Sequence, residues 1–168
     1  MIIQDLWDMP LTRIVFPEML VQGNYDVIAN MPGIDRETLR QSIRQAVERQ
    51  FGLVVEREKW TENVYLLSES QNHSRQLRPA ISGEKWMSGG GEGSIVGTAQ
   101  TTQNIARVFE DLLKTPVIDS TGLKGTYDYS AWSKLSEAKS PFDLAHQLGL
   151  ELTEASRPIE MLVIRKIQ

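Results

Sequence analysis

The 168-residue chain has no cysteine, only two histidines, no excess of positive charge and no long apolar run. Without a thiol there is no disulfide, no thiolate nucleophile and no cysteine metal cluster, and the redox compartment leaves no mark. His73 and His146 lack second donors at ligand spacing, so no metal site is expected. The formal charge of −4 offers no general attraction to phosphate, which speaks against nucleic acid as a partner. No stretch approaches the ~18 apolar residues of a spanning helix. Direct membrane insertion of this segment is therefore not expected, and "MIIQDLWDMP" lacks the basic head and apolar core of a signal peptide.

What is present suits a folded domain. Hydrophobic residues make up 40% and charged residues 24%, enough for a core that buries roughly 70% of the unfolded surface. Leu39, Ile43, Ala46, Val47 and Phe51 recur at helical spacing and predict a helix over 35–50, with Asp35 as cap and Gly52 as stop. "LVVERE" and "NVYLLS" then read as two strands of a hairpin turning at Thr61 and Glu62, and the stretch after Gly149 that closes with "EMLVIR" reads as a second hairpin of the same plan. A helix over 102–114 is predicted with Thr102 as cap, and another begins at Ser140 and Pro141 and stops at Gly149. "SIVGTAQ" from Ser94 and "PVID" from Pro116 read as strands.

The chain also echoes itself. "LVQGNYDVIAN" at 20–30 returns as "GLKGTYDYSAW" at 122–132, and "QFGL" at 50–53 returns as "QLGL" at 147–150. The economical reading is an α+β fold of internally duplicated α-β-β-α-β-β units, a mainly antiparallel sheet with helices packed on one face. The first repeat spans 1–68 and the second 94–168, joined by a polar Gly/Ser-rich linker over 69–93.

The block Pro116, Val117, Asp119, Thr121, Gly122, Leu123, Gly125, Tyr127 and Asp128, followed by "QLGL" and the closing "EMLVIR", resembles an uncharacterised paralogous family abundant in soil bacteria. "YDVIANMPG" is similar to that family's first half, so the likeness covers most of the chain. The resemblance implies an export signal ahead of the domain and an extracytoplasmic (periplasmic or envelope) location. It also implies fusion to thioredoxin-like domains or to antirepressor-type membrane peptidases.

Reactive constellations are sparse. "VIDSTG" invites comparison with an aspartic protease loop, but carries one residue too many, and "IVFPEML" in the first half supplies no second Asp. Asp26 and Asp128 form a repeat-related pair, each expected on the strand face opposite its tyrosine and so facing solvent if Tyr25 and Tyr127 are buried. "SEAK" at 136–139 fits Ser-x-x-Lys without its companion elements. Asp143 and His146 sit three apart on one helix face. "SGGGEG" lacks the Lys and following helix of a phosphate loop. Arg36, Arg40 and Arg44 form a stripe at i, i+4 and i+8, and Trp86 sits in the polar linker. These four are the residues picked as an interaction surface, while Trp132 is expected to be buried against the helices. No catalytic residue and no cofactor site is assigned. The sequence points to a non-catalytic module that binds a protein or peptide partner. The alternative is a hydrolase using Asp119, Asp128 or His146 between the repeats.

Overall fold

A computed structural model describes residues 2–18, 27–29, 32–71, 76–81, 86–91, 93–134 and 140–167, with 86–91 as backbone only. Its elements are α1 (Ile2–Trp7), β1 (Ile14–Val15), α2 (Arg36–Phe51), β2 (Leu53–Glu69), β3 (Leu77–Pro79), β4 (Trp86–Gly91), β5 (Ser94–Gln100), α3 (Thr102–Leu113), β6 (Val117–Asp119), β7 (Tyr127–Trp132), α4 (Ser140–Gln147) and β8 (Leu150–Lys166). The result, among the described residues, is a mixed α/β fold with four α-helices and two sheets. Among the described residues, no helix is long and apolar enough to cross a membrane. The chain divides into two compact units, Met1–Trp60 with Pro158–Gln168, and Thr61–Arg157.

In the first unit, α2 follows its sequence signals. Asp35 Oδ1 accepts from the amides of Glu37 and Thr38 at 2.9 and 3.0 Å and its Oδ2 from Thr38 Oγ1 at 2.5 Å; that hydroxyl bond first, and the amide bonds with it, hold its carboxyl below the ordinary value. Gly52 ends the helix at φ 59°, a left-handed conformation that costs glycine little. The expected apolar stripe is narrower than its spacing suggests: Val47 is buried, Ile43 and Phe51 pack at the edge of the core, and Ala46 is exposed. That core gathers Leu6, Trp7, Met9, Ile14, Val47, Leu53, Leu162 and Ile164.

α1 has only six residues, too few to hold a helix alone. Its free C-terminal carbonyls are taken by two arginines from elsewhere. Arg44 Nε donates to Leu6 O at 2.7 Å, and Arg57 Nη2 donates to Trp7 O at 2.9 Å. Cations there oppose the helix dipole, and Arg44 also lies 5.9 Å from the Trp7 ring centroid.

β1 runs parallel to β8 through Ile14–Leu162 and Val15–Val163. β8 and β2 run antiparallel, since Gly52 O accepts from Ile167 N at 2.7 Å while Arg57 pairs with Glu160. Arg165 adds ion pairs to Glu56 and Glu58. The structure corrects the sequence here: neither predicted hairpin forms, and β2 and β8 are each one strand of 17 residues. Thr61 and Glu62 offer no Gly, Pro or Asn-Gly to reverse the chain. Pro158 is tolerated in β8 because its nitrogen falls on the side of β1, which pairs only at Leu162 and Val163.

The second unit has a larger core. It includes Leu67, Ile95, Ile105, Phe109, Val117, Tyr129, Leu144, Leu148, Leu150 and Leu152. β6 pairs parallel with β2 from Tyr65–Val117 to Leu67–Asp119. β2 and β8 are again antiparallel neighbours, with Ser70 N donating to Gly149 O at 2.9 Å. The mainly antiparallel expectation thus omitted the parallel edge strands β1 and β6. A second sheet, in the order β3-β7-β5-β4, is antiparallel throughout.

That sheet draws β3 and β4 from the polar stretch between 69 and 93, so Trp86 opens a strand. Glycine-rich β4 gains its order from pairing with β5. Gly97 of β5 lies under the Tyr129 ring, where an added Cβ would stand 2.5 Å from Cε1. α3 is capped by Thr101 rather than Thr102, its Oγ1 accepting from Asn104 N at 3.2 Å, and among the described residues Ser140 Oγ at the start of α4 is buried without a partner.

Candidate functional site

Within the second unit, one sheet face grades from dry core to solvent. Leu67 and Leu150 are fully buried and Leu152 nearly so, then along the same alternation come Tyr65 and Asn63 on β2 and Glu154 on β8. At this rim lies an open pocket of about 460 Å³ lined by Asn63, Val64, Tyr65, Thr115, Glu154 and Ala155, a volume typical of small-ligand sites.

Each lining group has a definite position. The Tyr65 ring meets Phe142 edge-on, with centroids 5.6 Å apart and planes at 75°. Its hydroxyl donates to Glu154 Oε1 at 3.1 Å, and burial together with that carboxylate raises its pKa above the ordinary phenol value. Thr115 follows the left-handed C-cap Lys114, and its Oγ1 donates to Leu113 O at 3.3 Å, next to the C-terminus of α3. Asn63 is exposed.

The backbone beside the pocket is also open. Tyr65 N donates to Pro116 O and Leu67 O accepts from Ser120 N, so odd-numbered residues of β2 direct their amides and carbonyls toward β6. Alternation sends those of Asn63 the same way, yet β6 pairs only with Tyr65, Leu66 and Leu67. Among the described residues no strand covers Asn63 on that side.

The residues singled out from sequence fall elsewhere. Asp119 accepts from Thr102 Oγ1 at 2.6 Å and from Thr121 N and Oγ1 at 3.0 and 2.7 Å. Its burial would raise its pKa, but those hydrogen bonds prevail and lower it. Asp128 does not face solvent as alternation suggested: its Oδ1 accepts from Ala99 N at 2.9 Å, at the bulge where Ala99 adopts φ 51°. Asp143 bonds Gln147 Nε2 at 2.9 Å, and His146 is exposed.

Trp132 is 55% exposed and lies 5.1 Å from Lys134 Nζ, because Tyr129 and Ala131 take the inward positions of β7. Arg36 is exposed on α2, Arg40 and Arg44 share Glu37 at 3.7 and 3.5 Å, and Arg44 also binds α1 as described. Asp26, His73 and "SEAK" lie outside the described residues, as does the first Gly-x-Tyr-Asp. Among the described residues, no group of three or more His, Asp or Glu is placed to hold a metal ion.

Sequence reading missed Tyr65, Thr115 and Glu154 as a group. Tyr65 and Glu154 meet only through the register of two unbroken strands, and splitting both into hairpins hid that meeting. With the fold and this rim established, the chain belongs to the family described as Protein of unknown function (DUF3738), whose model matches residues 1–167. No curated protein and no solved structure matches it.

Proposed function

We propose that this protein is a non-catalytic binding module that takes an extended peptide alongside β2, with one peptide side chain in the Tyr65–Glu154 pocket. The observation that carries this reading is the adjacency of an uncovered strand edge at Asn63 and a formed pocket. Main-chain pairing supplies affinity in such a mode, and the pocket supplies selectivity. Asp119 commits both oxygens to neighbouring hydroxyls and an amide, and Asp128 commits Oδ1 to the Ala99 amide, which favours binding over the hydrolase alternative. Localisation outside the cytoplasm and fusion to a catalytic or membrane-bound partner belong to the same proposal, supported by the family resemblance. So do two separate further contact surfaces, one at Trp86 and one on the α2 face that carries Arg36 and Arg40.

An internal duplication is part of this reading. Gly52 and Gly149 each end a helix in a left-handed conformation, and each begins a strand of 17 residues. The carbonyls of these glycines accept from Ile167 and Ser70, and 149 minus 52 and 167 minus 70 both give 97. In each unit a short edge strand from one repeat runs parallel to the long strand of the other. Under this reading the repeated glycines and tyrosines of the sequence serve the scaffold.

The test is a titration of the isotope-labelled protein with short extended peptides, following amide shifts. Binding peptides are expected to move the Asn63 and Tyr65 amides, and N-methylation of the peptide backbone should weaken them about tenfold or more, since the lost pairing is a main-chain hydrogen bond. Equal binding by the N-methylated peptides, or shifts confined to other surfaces, overturns the strand-addition reading.

A further inference from the structure

We infer that the pocket side chain of the bound peptide is cationic, a guanidinium or ammonium group held between Glu154 and the C-terminal end of α3. This deepens the peptide-binding reading above and rests on it.

The first unit supplies the template. There α1 ends at a left-handed non-glycine residue, Asp8 at φ 48°, with Pro10 two positions on; α3 ends at Lys114, φ 53°, with Pro116 two positions on. At the α1 end a guanidinium is already in place. Arg57 reaches from β2 to Trp7 O and to the Glu160 carboxylate. A helix C-terminus and a carboxylate together make a cation site, and the chain fills it with its own side chain.

The second unit also has a helix C-terminus and a carboxylate, and among the described residues no cation lines the pocket beside them, the C-cap Lys114 being exposed. By the offset of 97, Glu154 stands where Arg57 stands in the first unit, since 154 minus 97 is 57. Where the first unit has an arginine, the second has a carboxylate and an open pocket. Among the described residues Glu154 pairs only with the Tyr65 hydroxyl, whereas Glu56, Glu58 and Glu160 each meet an arginine. Thr115 brings the pocket to the carbonyl end of α3, and the Tyr65 ring adds an aromatic surface. All these features favour positive charge, and among the described residues Glu154 is the only charged one lining the pocket.

The experiment compares a short extended peptide carrying arginine with the same peptide carrying citrulline, a neutral isostere, on the wild-type protein and on Glu154→Gln. Glu154 is exposed, so the substitution spares the core, and a matched thermal midpoint verifies folding. Arginine is expected to bind about tenfold or more tightly than citrulline, with the difference lost in Glu154→Gln. Glu154→Arg should block both peptides by placing a guanidinium in the pocket. If both peptides move the Asn63 amide equally and Glu154→Gln changes nothing, the cationic inference is wrong while strand addition stands. If neither peptide moves that amide, the binding reading itself fails.

Discussion

Asp119 shows how a reactive-looking residue is used for support. Its two oxygens join the start of α3 at Thr102 to the turn at Thr121, so β6 and the loop after it are held to the helix that packs on them. Because hydrogen bonds outweigh burial and hold its folded pKa below that of a free aspartate, its stabilising effect is complete above the free value and is lost as pH falls through the folded one. Asp119→Asn is expected to cost about 1–2 kcal/mol near neutrality. The cost should shrink under acid, as the wild type loses the same bonds. Denaturant midpoints of both proteins across an acid series measure this. The pattern Asp-x-Thr-Gly marks a local turn, but its hydroxyl partner Thr102 is hidden in the sequence, lying 17 residues upstream where it reads as the helix cap that Thr101 provides.

At the level of elements, helix ends were the most legible feature. Asp35, Gly52 and Gly149 act locally, through amides and φ angles within a few residues, so their chemistry is written in the adjacent sequence. Gly149→Ala places a Cβ at φ 76° and is expected to destabilise by about 1–2 kcal/mol, read from urea unfolding. Its carbonyl also receives Ser70 N, so the amide of Ser70 should exchange faster in the variant. Strand length was less legible. A run such as "REKWTENVY" alternates through polar residues without a reversing signal, and only the neighbouring strand shows that it continues. The Tyr65–Glu154 rim was lost for the same reason, as was β4, whose glycines suggest a loop until β5 pairs with them.

For the molecule as a whole, β2 and β8 each contribute residues to both compact units. Unfolding either unit frees part of a strand that the other needs. Urea unfolding followed by tryptophan fluorescence of a variant retaining only Trp7 and Trp60, which report on the first unit, is therefore expected to coincide with the loss of Tyr129 near-ultraviolet dichroism from the second. Separated midpoints would indicate independent folding. Overall class and helix positions followed from composition, periodicity and the residues at helix ends, because those signals are local, whereas strand pairing depends on residues far apart in the sequence.

The Ala99 bulge has one more effect. Asp128 holds the amide of a residue that has turned out of the regular ladder, which works like a pin through two sliding rails. β5 cannot advance along β7 by two residues without leaving that carboxylate empty and dragging Gly97 from beneath the Tyr129 ring. The sheet is thereby denied the slipped pairings through which glycine-rich strands seed aggregates.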